Sequence, residues 1–150
     1  MLAEKKKLIV YRFEGYWRDV GTVDSYYESQ MDLMDDVESI DVFTKSARVY
    51  SNSNMYPPQY IGPDANIGKA LISNGCTVYG AVEHSILGSG VVIGEGSVIE
   101  DSIILPNAII GRDCHIKKAI VNEGVIMDDR TEIDDPDGKI VVYGTSKLSI

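Results

Sequence analysis

Ile93-Gly94-Glu95-Gly96-Ser97-Val98-Ile99-Glu100-Asp101-Ser102-Ile103-Ile104-Leu105-Pro106-Asn107-Ala108-Ile109-Ile110 decides the fold. Within it an aliphatic residue stands at 93, 99, 104 and 110, and the same spacing continues from Ile61 to Ile133. Set out on a coil of 17, these residues fall into three columns. One holds Ile72, Leu87, Ile104 and Val121; a second holds Ile61, Val78, Ile93, Ile110 and Met127; a third holds Ile67, Val82, Ile99, Ile116 and Ile133. All fourteen positions are Ile, Val, Leu or Met. An amphipathic helix repeats every 3.6 residues and a half-buried strand every 2, so neither produces a period near six. A short strand followed by a tight turn, three times per coil, does. Each coil is then a triangle with one aliphatic side chain inward on each face. No coil buries its face alone, so stability comes from stacking neighbours. The coil at residues 71–85 is two residues short, and the deficit lies between Val78 and Val82.

The turns agree. Gly follows the inward residue at Gly62, Gly68, Gly88, Gly94 and Gly111, and small residues often stand four places after it: Ala65, Cys76, Ser97, Ala108, Cys114, Thr131. Handedness does not follow from the period. Right-handed crossovers are the rule for parallel strands, but the hexapeptide pattern resembles the known left-handed exception. A fourth apolar column, Leu71, Ile86, Ile103 and Ile120, precedes the Ile72 column. Facing outward it would be a docking surface. Its place four residues after the Ile67 column favours a second inward position, packed at the corner. Gly88-Ser89-Gly90 and Gly94-Glu95-Gly96 match no phosphate-loop pattern and recur with the repeat, so they are turns.

Residues 1–60 lack this period. Lys7-Leu8-Ile9-Val10-Tyr11-Arg12-Phe13 reads as a strand broken by Glu14-Gly15. Thr22 is a good N-cap for a helix from about Val23 to Met34, with Val23, Tyr27, Met31 and Met34 on one side. An acidic connector follows. Val42-Phe43 and Arg48-Val49-Tyr50 are weak strand candidates, and Pro57-Pro58 stiffens the approach to the first coil.

With 150 residues the chain is about one domain in length. A net charge of −9 argues against a nucleic-acid partner, which needs a basic footprint. Lys5-Lys6-Lys7 is too short to be more than a solvated run. No apolar stretch approaches the roughly 20 residues that span a bilayer, and no secretory leader is visible. Cys76 and Cys114 form no CxxC pair and read as reduced, buried and structural. The expected compartment is the cytoplasm.

Phe13-Glu14-Gly15-Tyr16-Trp17-Arg18-Asp19-Val20-Gly21-Thr22 is the most specific segment. It resembles the end of the catalytic domain of bacterial glucose-1-phosphate adenylyltransferases. Val23 to Leu33, and Pro57-Pro58-Gln59-Tyr60-Ile61, are similar to that family as well. The resemblance implies a mainly β fold: a left-handed parallel β-helix over 57–150, preceded by a small α/β remnant of a nucleotidyltransferase domain at 1–34 and a connector at 35–56. It implies that the family's reaction joins ATP and glucose 1-phosphate into ADP-glucose and pyrophosphate for glycogen synthesis, with the β-helix serving subunit contacts and allosteric control. It also implies a role for Asp19, the aspartate of the W-x-D-x-G-T motif, in holding catalytic magnesium. A carboxylate suits that ion, which prefers hard oxygen ligands. By the same analogy Gly15, Tyr16 and Trp17 lie near the sugar-phosphate pocket.

The family's glycine-rich G-x-G-x-R-L loop does not occur in these 150 residues. The chain alone is therefore expected to make no ADP-glucose and to bind magnesium only weakly. Residues up to Met34 are expected to pack less well than the β-helix or to borrow a neighbouring chain. Its expected partner is itself, as a tetramer in the intact family or as a dimer or trimer. The resemblance implies sugar phosphates and nucleotides as ligands of the complete enzyme, and no membrane partner is expected. Two alternatives stay open: a structural module without activity, and a hexapeptide acyltransferase using His84 or His115 as base. The two histidines stand in different columns, and both read as ordinary polar corner residues. Arg112, Lys117 and Lys118 read as solvated surface.

Overall fold

The computed structural model describes residues 9–36, 40 and 55–144. Fifteen short strands wind into a triangular prism with three parallel faces. The first face stacks β1 (Tyr60–Ile61), β4 (Thr77–Val78), β7 (Val92–Ile93), β10 (Ile109–Ile110) and β13 (Ile126–Met127). The second stacks β2 (Asn66–Ile67), β5 (Ala81–Glu83), β8 (Val98–Glu100), β11 (His115–Lys117) and β14 (Glu132–Ile133). The third stacks β3 (Ala70–Ile72), β6 (Ser85–Leu87), β9 (Ile103–Ile104), β12 (Ala119–Val121) and β15 (Val141–Tyr143). This is the parallel β-helix that the period predicts, with the left-handedness that the hexapeptide resemblance implies.

The three aliphatic columns point inward. Val78, Ile93, Ile99, Leu87, Ile104, Ile116 and Val121 are sealed from solvent, whereas Ile61 at the open end of the stack is 38% exposed. Each sealed aliphatic side chain contributes about 1.5–3 kcal/mol. The predicted short coil is present: Thr77 pairs with Val92, Ala81 with Val98, and the ladders continue past the deletion. The corner shrinks to Tyr79-Gly80. A Cβ on Gly80 would stand 2.3 Å from the Ser97 carbonyl oxygen, so this tight bend needs glycine.

The corners form columns of their own. Between the second and third faces, His84, Asp101 and Lys118 take positive φ values of 43°, 45° and 49°. Buried hydroxyls close the gaps that these bends leave in the main-chain ladders. Ser85 Oγ donates to the Glu83 carbonyl at 2.7 Å and accepts from the Ser102 amide at 3.0 Å. One coil on, Ser102 Oγ donates to the Glu100 carbonyl at 2.6 Å and accepts from the Ala119 amide at 3.1 Å. Among the described residues no buried side-chain nitrogen or oxygen lacks a partner. Cys76 and Cys114 are free and buried, as expected.

Among the described residues one helix, α1 (Val23–Asp35), lies outside the prism. Thr22 caps it: its hydroxyl accepts from the Ser25 amide at 3.1 Å, while Ser25 Oγ accepts from the Thr22 amide at 3.0 Å. Tyr27, Met31 and Met34 are buried, but Val23, expected on the same side, is half exposed.

The fourth apolar column corrects the corner-packing expectation. Residues adjacent in a strand face opposite ways, so Ile103 and Ile120 point outward while Ile104 and Val121 point inward. Ile103 and Ile120 are buried because α1 lies on them, with Leu71 and Ile86 packed at the margin of the same cluster. The column is thus a docking surface whose occupant is a helix of the same chain, and no neighbouring chain is needed to bury α1. The strand expected at 7–13 is not formed over Ile9–Phe13, and Ile9, Val10, Tyr11 and Phe13 are exposed. The candidates at Val42-Phe43 and Arg48–Tyr50 lie outside the described residues.

Candidate functional site

The segment from Gly15 to Gly21 runs without regular structure into the capped start of α1. Three contacts tie it down. Tyr16 OH donates to Asp32 Oδ2 at 2.9 Å, and Arg18 Nη1 lies 3.2 Å from both Asp32 and Glu28. These partners stand on one side of α1, spaced four apart, so the helix repeat itself sets the posture of the segment. Trp17 remains 76% exposed, and Asp19 is also exposed.

Asp19 offers the hard oxygen ligand that magnesium takes. Among the described residues no group of three or more His, Cys, Asp or Glu is placed to hold an ion. A lone exposed carboxylate could supply at most one side-chain ligand to such an ion.

Two clefts flank this region, and a third lies elsewhere on the prism. The first, about 390 Å³, lies between the start of α1 and the third face and is lined by Val20, Val23, Tyr26, Leu105, Ile120 and Val142. Its apolar walls suit packing rather than phosphate. The second, about 330 Å³, brings Lys118 and Lys139 near Asp24 and Glu28. The third, about 410 Å³, places Arg112 with Glu95 and Asp129 on the outer side of the first face. Arg112 and Lys118, grouped as one surface by the sequence, belong to different clefts.

The histidines also depart from the expectation of ordinary corner residues. His115 lies on β11 rather than at a corner, 3.5 Å from Glu100. His84 is at a corner, with Nδ1 2.6 Å from Asp101 and Nε2 3.0 Å from Asp35 at the end of α1. Asp35 in turn receives Lys69 Nζ at 2.5 Å. Both ring nitrogens of His84 are thus engaged by carboxylates of its own chain, leaving neither for a substrate hydroxyl. Sequence spacing missed this cluster because Asp35 reaches the corner only through the docking of α1. The one available signal was that His84 and Asp101 stand 17 residues apart, in register on successive coils.

Among the described residues, no helix is long and apolar enough to cross a membrane. Residues 59–139 match the family described as GlmU-like, C-terminal hexapeptide. The chain is similar to the glucose-1-phosphate adenylyltransferases of Bacillus mycoides (strain KBAB4), Bacillus cereus (strain ATCC 10987 / NRS 248) and Bacillus anthracis. Each is 44% identical over 133 residues, which is 89% of this chain and 35% of the relative. The chain spans about a third of the length of the curated relatives it matches.

Proposed function

The chain belongs to the GlmU-like, C-terminal hexapeptide family, and from that premise we propose that it is the C-terminal regulatory and assembly part of a glucose-1-phosphate adenylyltransferase. In this reading it positions the last catalytic segment of that enzyme and makes no ADP-glucose by itself. The observation that carries the proposal is the docking of α1. Its buried side chains, Tyr27, Met31 and Met34, lie on the third face, while its N-terminal end carries Tyr16, Trp17 and Asp19. Movement of the β-helix is thereby transmitted to the proposed metal carboxylate through one rigid element.

Asp19 would hold magnesium in the complete enzyme, and Gly15, Tyr16 and Trp17 would border the sugar phosphate. Magnesium, when bound, neutralises phosphate charge and bridges phosphate oxygens. The chain's own contribution is placement: Arg18 and Tyr16, anchored on α1, hold the backbone on either side of Trp17 and beside Asp19. Correct placement matters because a displacement near 1 Å can cost about 10²-fold in rate. Subunit contact is supported by the outer column of the first face, where Tyr60, Ile109 and Ile126 are 53%, 41% and 75% exposed.

The test is a graft. The 150 residues replace the corresponding third of the Bacillus cereus enzyme, and ADP-glucose formation is followed by pyrophosphatase-coupled phosphate release. The graft should be active, Asp19→Asn should lower its kcat by about 10²-fold or more, and the chain alone should show no turnover. Turnover by the chain alone, or full activity of the Asp19→Asn graft, refutes the reading.

A further inference from the structure

We propose that His84 is a proton-operated latch that fastens the C-terminal end of α1 to the β-helix when its ring is charged and loosens it when the ring is neutral. The imidazole bridges two carboxylates from different elements. Nδ1 lies 2.6 Å from Asp101 Oδ1, on the next corner of the same column. Nε2 lies 3.0 Å and 3.2 Å from the two oxygens of Asp35, the last residue of α1. A neutral imidazole has one N–H and one lone pair. It can donate to one of these carboxylates, but must turn its lone pair on the other. Only the imidazolium donates to both, so the geometry itself selects the charged ring.

The position of Asp35 adds to this demand. A carboxylate at a helix C-terminus opposes the helix dipole, and α1 has no basic residue in its last turn. The compensating cations come from the β-helix: Lys69 and His84, at the same corner of successive coils. Asp101 raises the affinity of the ring for its proton, partial burial opposes this, and Asp35 adds to it. Asp35 is held below the usual carboxylate range, first by Lys69 and then by His84.

Other charged groups face this seam. Among the described residues, Glu83 and Glu100 flank the corner column, His115 sits beside Glu100, and Lys118 occupies the next corner. From α1, Asp36 caps the helix and Tyr27 donates its hydroxyl to the Asp101 carbonyl at 2.6 Å. Tyr27 keeps that proton because burial, then Asp101 and Asp35, push its pKa up to about 12.

The sign follows from these directions. The contribution of His84 is complete below the ordinary imidazole value of 6.5 and is lost as pH rises through its raised value. The contribution of Asp35 is present above its ordinary value of 3.8 and is lost in acid, as pH falls through its lowered value. The latch is closed between these limits and opens on the alkaline side. Lys69 still neutralises Asp35 there, so the end of α1 loosens without the helix leaving the third face.

The experiment uses the 150-residue chain. The His84 ring is titrated by NMR from about pH 5.5 to about 9, across the range in which histidine changes charge. Amide exchange of Met31 to Asp35, corrected for intrinsic rates, is followed over the same range. The His84 midpoint should exceed 6.5, and α1 protection should fall through that midpoint. Linkage requires about a tenfold loss for each unit by which the midpoint exceeds that of the loosened state. Amides of Ile99, Ile104 and Ile116 should not follow. His84→Asn, which tolerates positive φ, should hold α1 at the loosened level at every pH. His84→Lys places at this corner the residue type that Lys118 already carries at φ 49°, and should keep protection high throughout. Constant α1 protection across the His84 titration, or persistent pH dependence in His84→Asn, overturns the proposal. The wild-type titration decides alone if a variant does not fold.

Discussion

Ile103 and Ile104 are neighbours on β9 that face opposite ways, and truncating each should damage a different part of the molecule. Ile104 is sealed inside the prism, and Ile103, at 2% exposure, lies under Tyr27, Met31 and Met34. Ile→Ala removes three carbons, about 2.4 kcal/mol of transfer free energy at roughly 0.8 kcal/mol each. The cavity left behind adds to this, giving about 3 kcal/mol within the usual range of 2–5. For Ile104→Ala the loss should fall on global unfolding of the β-helix, read by urea denaturation with circular dichroism. For Ile103→Ala it should fall mainly on detachment of α1, whose amides should exchange about 10²-fold faster. The prism amides at Val82, Ile99 and Ile116 should keep most of their protection. Equal loss of prism stability in both variants, with α1 exchange unchanged in Ile103→Ala, would refute the separation of inner core from outer docking face.

Ser102→Ala should cost about 1–3 kcal/mol although it removes one oxygen, because the Ala119 amide loses its partner inside the corner while the Glu100 carbonyl keeps only the Lys118 amide; denaturation midpoints at constant slope measure it. Thr22→Ala should cost about 1 kcal/mol and act locally, raising exchange at the first turn of α1 without shifting the unfolding of the prism.

The period of the aliphatic residues made the β-helix, its three inner columns and its short coil legible in advance. Inward position is a one-dimensional property that repeats along the chain. The outer column misled for the same reason. Leu71, Ile86, Ile103 and Ile120 have the composition of a core, and a periodicity argument cannot tell whether an apolar side chain is buried by its own coil or by something laid over it. The cap at Thr22 and the extent of α1 were legible because both are local, whereas the reciprocal bond from Ser25 was not foreseen. The strand expected over Ile9–Phe13 was not formed, since strand propensity is realised only beside a partner strand. Of the candidate site, the run around Asp19 was legible as a motif. The anchoring of Tyr16 and Arg18 on Asp32 and Glu28 required the three-dimensional helix. The pairing of His84 with Asp35 joins positions 49 apart and depended wholly on where α1 comes to rest.

The short coil at Tyr79-Gly80 has a counterpart at the other end of the prism. Ala119 pairs with Val141, a wider loop separates β14 from β15, and the third face still continues in step. A coil can therefore lose residues or gain them at its corners while the faces above and below stay aligned. The architecture counts turns of the spiral rather than amino acids. Insertions and deletions at a corner change only that corner, whereas a single residue added inside a strand would rotate every later side chain of that strand from interior to surface. Corners such as 79–80 and 134–140 are consequently where this molecule can acquire new loops, and new chemistry with them, without renegotiating its interior.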